Sequence, residues 1–167
     1  IAINLCGSIF VKSTRMSALA IEALERIDGV AEVERAFSDA VHEARAVVPE
    51  LGVHQSGPER LILRMPRVDG PPRYVVFGTL RHPRQMARLE VVERDGALEA
   101  AKYETFPVGL TTARFRYDAA PPRAARTVTL SVRVHREEGR RQGTPIVHRF
   151  AATLRGLGED GERPPRN

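Results

Sequence analysis

Few residues in this chain have the chemistry for catalysis, and their spacing argues against most active sites. Cys6 is the only cysteine. It would act as a nucleophile only beside a cation that favours the thiolate, and a Cys-x5-Arg loop is absent because position 12 is Lys12. Gly7 to Ser13 has the outline of a phosphate-binding loop, with Lys12-Ser13 after a β-prone run. The second glycine before the lysine is missing, however, and the loop is one residue short, so the backbone cradle for a phosphate is not built. The histidines are His42, His54, His82, His135 and His148. None forms an H-x-H or H-x-x-x-H pair, and one cysteine supplies no metal-binding pair, so no metal or cofactor site is expected. No Gly-x-Ser-x-Gly elbow occurs, and no residue stands out as catalytic.

The carboxylates Glu90, Glu93 and Glu99 surround Asp95-Gly96 and alternate with Arg88 and Arg94. Cross-strand ion pairing accounts for that pattern better than acid–base catalysis does. The arginines are a more promising set. Only Lys12 and Lys102 are lysines, so arginine supplies nearly all of the 26 positive charges. One basic segment runs from Leu80 to Arg88 and contains Arg81, Arg84 and Arg88; a second contains Arg140 and Arg141; Arg114, Arg116 and Arg133 lie on strand-like runs. Guanidinium forks suit phosphate oxygens, which makes this set a candidate polyanion-binding surface. Aromatics are only 5% with no tryptophan, so stacking platforms for unpaired bases are scarce.

The chain has 167 residues, the length of one globular domain, with 42% apolar and 28% charged residues. That balance supports a core and argues against global disorder. No apolar run approaches a membrane span, no basic region precedes the apolar leader as a secretory signal would require, and no disulfide pair exists. A cytoplasmic location is therefore expected. The formal charge of +5 is unevenly spread. Residues 16–50 carry three positive and eight negative side chains, whereas residues 59–167 carry 21 positive and 13 negative ones. An acidic first part thus precedes a basic second part.

Periodicity supplies the elements. Met16, Leu19, Ala20, Ala23, Leu24 and Ile27 have helical spacing, interrupted at Asp28-Gly29; Val30, Val33, Phe37, Ala40, Val41, Ala44 and Val48 resume it, which predicts a second helix ending near Pro49. Six β-prone runs follow: Arg60–Met65, Arg73–Leu80, Arg88–Arg94, Ala97–Glu104, Thr112–Tyr117 and Arg126–His135. Asp95-Gly96 predicts a tight hairpin between the third and fourth. In the sixth, Val128, Leu130, Val132 and Val134 alternate with polar residues, which predicts one buried and one wet face. Between Thr144 and Arg155, the proline at the start and the spacing of Ile146, Val147, Phe150, Ala151 and Leu154 favour a C-terminal helix. Residues 1–15 read either as a first strand or as a leader ahead of a true start at Met16, residues 16–158 as a single domain, and residues 159–167 as a disordered polar tail.

The expected fold is therefore α+β and two-layered, an N-terminal helical pair and a C-terminal helix packed on one face of a roughly six-stranded antiparallel sheet. This order of elements resembles that of the helix-grip (START-like) domains, which implies an apolar ligand held between sheet and terminal helix. Val128, Leu130, Val132, Ile146, Val147, Phe150 and Leu154 would then line its cavity. Without a catalytic constellation, the leading expectation is a non-catalytic binding or interaction module in a protein assembly, with a protein partner or second copy. A helix-grip ligand domain and a polyanion-binding arginine face, nucleic acid included, are the alternatives.

Overall fold

The computed structural model describes residues 29–66, 70–80, 85–106, 110–134, 137–138, 141–142 and 144–155. The helix predicted over residues 16–27, the first fifteen residues and the polar tail lie outside the described residues, as do Arg81, Arg84 and Arg140.

The first described element is a helix, α1, over residues 29–43. Its buried side is the predicted stripe of Val30, Val33, Phe37, Ala40 and Val41, and Glu32, Glu34, Arg35, Asp39 and Glu43 face solvent. The helix stops earlier than the spacing predicts. Arg45 N–H donates to Arg64 O at 2.9 Å and Val48 N–H to Ile62 O at 2.9 Å, so the chain joins a sheet before reaching Pro49. Sheet pairing satisfies the backbone there and overrides a local helical pattern.

The strands are β1 (Ala46–Val47), β2 (Glu50–Leu51), β3 (His54–Gln55), β4 (Arg60–Arg64), β5 (Arg73–Leu80), β6 (Gln85–Arg94), β7 (Ala97–Phe106), β8 (Leu110–Tyr117), β9 (Thr127–Val134), β10 (Glu137–Glu138), β11 (Arg141–Gln142) and β12 (Ile146–Thr153), with a short 3-10 turn at Pro122–Ala124. The six predicted runs correspond to β4 to β9. They do not form one sheet. A five-stranded sheet has the order β1-β4-β5-β6-β7 and a three-stranded sheet the order β12-β9-β8, while β2 with β3 and β10 with β11 form small ribbons. Every pairing is antiparallel. Asp95 and Gly96 take φ values of 52° and 78°, the left-handed pair that a two-residue hairpin needs.

The C-terminal helix is corrected to a strand. All of β12 pairs with β9, from Ile146 opposite Val134 to Thr153 opposite Thr127. The apolar spacing fits either period. What decides is the edge of β9, whose backbone needs a partner, together with the β-branched Ile146, Val147 and Thr153. The protein is thus α+β with one helix among the described residues and antiparallel sheets.

One apolar cluster joins α1 to both sheets. Phe37 lies at its centre, edge-on to Phe77 of β5 at 6.2 Å and tilted against Phe115 of β8 at 6.4 Å. The sheets also meet where Phe115 N–H donates to Pro58 O at 2.8 Å and the Tyr117 hydroxyl donates between Gly57 O at 3.1 Å and Arg60 O at 2.9 Å. Burial pushes the Tyr117 phenol up to about 12. On the other face of the five-stranded sheet, Leu51, Ile62, Val76 and Val91 form a second cluster under the β2–β3 ribbon. Ser56 ties that ribbon down, donating to Val48 O at 2.6 Å and accepting from Ile62 N–H at 3.1 Å. No helix among the described residues is long and apolar enough to cross a membrane.

Candidate functional site

The three-stranded sheet has a buried face and a wet one, set by strand alternation. Inward go Ala113, Phe115, Val128, Leu130, Val132 and Ala152, all part of the core. Outward go three cross-strand rows: Thr112, Arg133 and Val147; Arg114, Ser131 and Arg149; Arg116, Thr129 and Ala151. All four arginines are exposed. With strands about 4.8 Å apart and same-face residues about 6.8 Å apart along a strand, each arginine stem stands within about 10 Å of at least one other, and Arg116 and Arg133, the farthest pair, are about 14 Å apart. Thr112, Arg114, Ser131, Arg133, Val147 and Arg149 line an open groove of about 360 Å³.

The electrostatics of this face are one-sided. Not one Asp or Glu occurs in β8, β9 or β12. Among the described residues, none of the four arginines is within ion-pair distance of a carboxylate. The nearest acid along β8 is Asp118, just past the strand end. Its carboxylate accepts from Arg126 N–H at 2.9 Å, and backbone hydrogen bonds at Thr127 and Arg126 hold its pKa below the ordinary value. It is thus already engaged. Side-chain hydroxyls of Thr112, Thr129 and Ser131 lie between the guanidinium groups, giving neutral hydrogen-bond donors beside charged ones. The groove can hold oxyanions by charge-assisted hydrogen bonds.

Of the arginines singled out from sequence, Arg114, Arg116 and Arg133 come together here. Arg141 lies on the β10–β11 ribbon, and Arg88 lies on the other sheet. Arg88 projects from the α1 side of β6, donating to Glu90 at 2.8 Å and to Glu104 at 3.3 Å. Arg73 approaches Glu90 at 3.6 Å, Lys102 pairs with Glu104, and Arg94 reaches Glu99 at 3.8 Å. The hydrogen bond from Lys102, with Arg88 adding to it, lowers the Glu104 pKa. Glu93 accepts from the Tyr74 hydroxyl at 3.0 Å; burial, then Glu93 itself, raises that phenol's pKa. The carboxylates around the hairpin thus hold neighbouring groups in place. Beside this ladder, Glu32, Arg35 and Asp39 of α1 face Arg88 and Glu104 across a recess of about 370 Å³ of mixed charge.

Of the residues expected to line an apolar cavity, Ile146 and Phe150 lie on the same side of the sheet as Val128, Leu130 and Val132, and Val147 lies on the other. Val128, Leu130, Val132 and Leu154 are core residues, Phe150 packs against the core, and Ile146 and Val147 are exposed, Val147 in the outer groove. Arg149 is the member of the arginine face that the sequence does not single out, because a helical reading of residues 144–155 gives it no strand neighbours. Among the described residues, no group of three or more His, Cys, Asp or Glu is arranged to hold a metal ion. Comparison with protein-family models, with curated proteins and with solved structures found no match.

Proposed function

We propose that the protein is a non-catalytic binding module that docks a phosphate-bearing polyanion, nucleic acid in the first instance, on the outer face of its three-stranded sheet. One observation carries this reading: Arg114, Arg116, Arg133 and Arg149 share an exposed face whose strands contain no acidic residue. Four neighbouring guanidinium groups with no carboxylate partner among the described residues repel one another, and a polyanion relieves that repulsion while releasing its own counterions. Interleaved hydroxyls favour oxyanions with several acceptor oxygens. No Phe or Tyr projects from the three rows, so recognition runs through the backbone of the partner rather than through stacked bases. The α1 surface, with Glu32, Glu34, Asp39 and Glu43 exposed, packs its other side on the sheets and keeps its negative charge off this face.

Anisotropy of a labelled oligonucleotide over a salt series tests the proposal. Four phosphate contacts give a slope of log K against log salt of about −3.6 for duplex and about −2.8 for single strands, with little dependence on base sequence. No binding at low salt would sink it. Stronger competition from polyglutamate than from DNA would point to an acidic protein partner instead and would overturn the phosphate reading.

A further inference from the structure

Strand β7 is an edge of the five-stranded sheet, ten residues long, and nearly all of its residues are exposed. Among the described residues it is hydrogen-bonded on one side only, to β6. Long open edges promote association with another strand and are commonly blocked by charges, prolines or bulges. β7 has charges and a bulge, but their arrangement favours one partner.

The segment Leu98-Glu99-Ala100-Ala101-Lys102-Tyr103 is complementary to itself when run antiparallel. With a two-fold axis between Ala100 and Ala101, Leu98 meets Tyr103, Glu99 meets Lys102, and Ala100 meets Ala101, each pair occurring on both sides of the axis. In a regular strand this register would fail, because residues an odd number apart point to opposite faces. The bulge removes that obstacle. Glu90 pairs with Lys102 but Val91 pairs with Ala100, so one extra residue resets the alternation inside β7. Lys102 and Glu104 pair on the α1 side with Arg88, and Glu99 lies on that same side near Arg94. Leu98 and Tyr103 both lie on the other side. Leu98 Cδ1 sits 3.0 Å from where a Cβ at Gly52 of the covering ribbon would be, and Tyr103 is opposite Leu89 of the second apolar cluster. Leu98 and Tyr103 are 42% and 56% exposed, large apolar surface to leave wet on one strand.

We infer that β7 is the dimerisation edge of this protein. A second copy of the chain pairs antiparallel with it about an axis between Ala100 and Ala101, joining two five-stranded sheets into one. The pairing places two Leu98–Tyr103 contacts on one face and two Glu99–Lys102 ion pairs on the other, a self-complementary arrangement as a two-fold interface requires. The arginine face lies on the other sheet and remains open in such a dimer.

Light scattering on the full chain from low micromolar to several hundred micromolar tests this, with two variants. Glu99→Lys puts four cations at the seam and Lys102→Glu four anions, and each should weaken self-association about tenfold or more. Mixing the two variants restores opposite charges at every 99–102 contact, so the mixture should form a heterodimer although neither variant dimerises alone. Glu99 is exposed and its ion pair with Arg94 is long, so Glu99→Lys leaves the fold intact, which thermal melting would verify. A wild-type monomer at every concentration overturns the inference. So does a dimer indifferent to charge reversal, or a mixture of variants that stays monomeric.

Discussion

Two clusters of arginine, one on each sheet, stand in opposite surroundings. On the five-stranded sheet, Arg73, Arg88 and Arg94 stand among Glu90, Glu99 and Glu104, and Lys102 completes a ladder in which each cation has a carboxylate within 4 Å. On the three-stranded sheet, Arg114, Arg116, Arg133 and Arg149 share an exposed face whose strands hold no carboxylate. The same side chain is thus paired with carboxylates in one place and, among the described residues, has none in the other. Composition alone hides this, since an overall excess of arginine over lysine describes both regions equally. Charge compensation within hydrogen-bonding reach separates them.

That contrast predicts opposite outcomes for substitutions of one residue type. Replacing Arg114, Arg133 and Arg149 together by glutamine should cut oligonucleotide affinity at about 0.1 M salt by on the order of 10²-fold, through loss of three counterion-releasing contacts. Stability should stay within about 0.5 kcal/mol, because all three are exposed and unpaired among the described residues. Anisotropy and thermal melting on the same samples read both. Arg88→Gln should do the reverse: a loss of about 1–2 kcal/mol in denaturant titration, because Glu90 and Glu104 are left half-buried without their shared cation, and unchanged binding.

A smaller effect is expected where the sheets meet. Tyr117→Phe removes the hydroxyl held between Gly57 O and Arg60 O and should cost about 1 kcal/mol. It should also flatten the alkaline limb of the stability curve. The folded phenol titrates at about 12, above the unfolded value, so its contribution is present below pH 10 and is lost as pH rises through about 12. The smallest change belongs to Glu104→Gln. Lys102 and Arg88 lower the folded Glu104 pKa, so its contribution is present above the ordinary carboxylate range and is lost as pH falls through the folded value. Melting temperatures of the variant should therefore decline less steeply in acid than those of the wild type.

The parts of the fold legible from sequence are those where one physical constraint acts alone. Val128 to Val134 alternates because one side meets the core and the other meets water, and Asp95-Gly96 marks a turn because those residues tolerate positive φ. The α1 stripe was readable up to Ala44 for the same reason. Beyond it, Val48 has helical spacing but serves the second apolar cluster, since the backbone at Arg45 and Val48 bonds across to β4. Ile146 to Leu154 fits both periods, and only the partner edge of β9 decides between them. Arg149 joins the arginine face only through that pairing. The division into two sheets is equally non-local, resting on where Phe37 meets Phe77 and Phe115. Arg114, Arg116 and Arg133 stand out in the sequence as cations on strand-like runs, whereas Arg88 has the same local pattern and only its cross-strand carboxylates set it apart.

The most direct test of the arginine face is an amide NMR titration of the full chain with a short oligonucleotide at low salt. Shifts should concentrate at Thr112 to Arg116, Thr129 to Arg133 and Val147 to Ala151 and reverse with added salt, with α1 and the Arg88–Glu104 ladder unmoved. Shifts confined to the ladder or to α1, or none at saturating oligonucleotide, would contradict it.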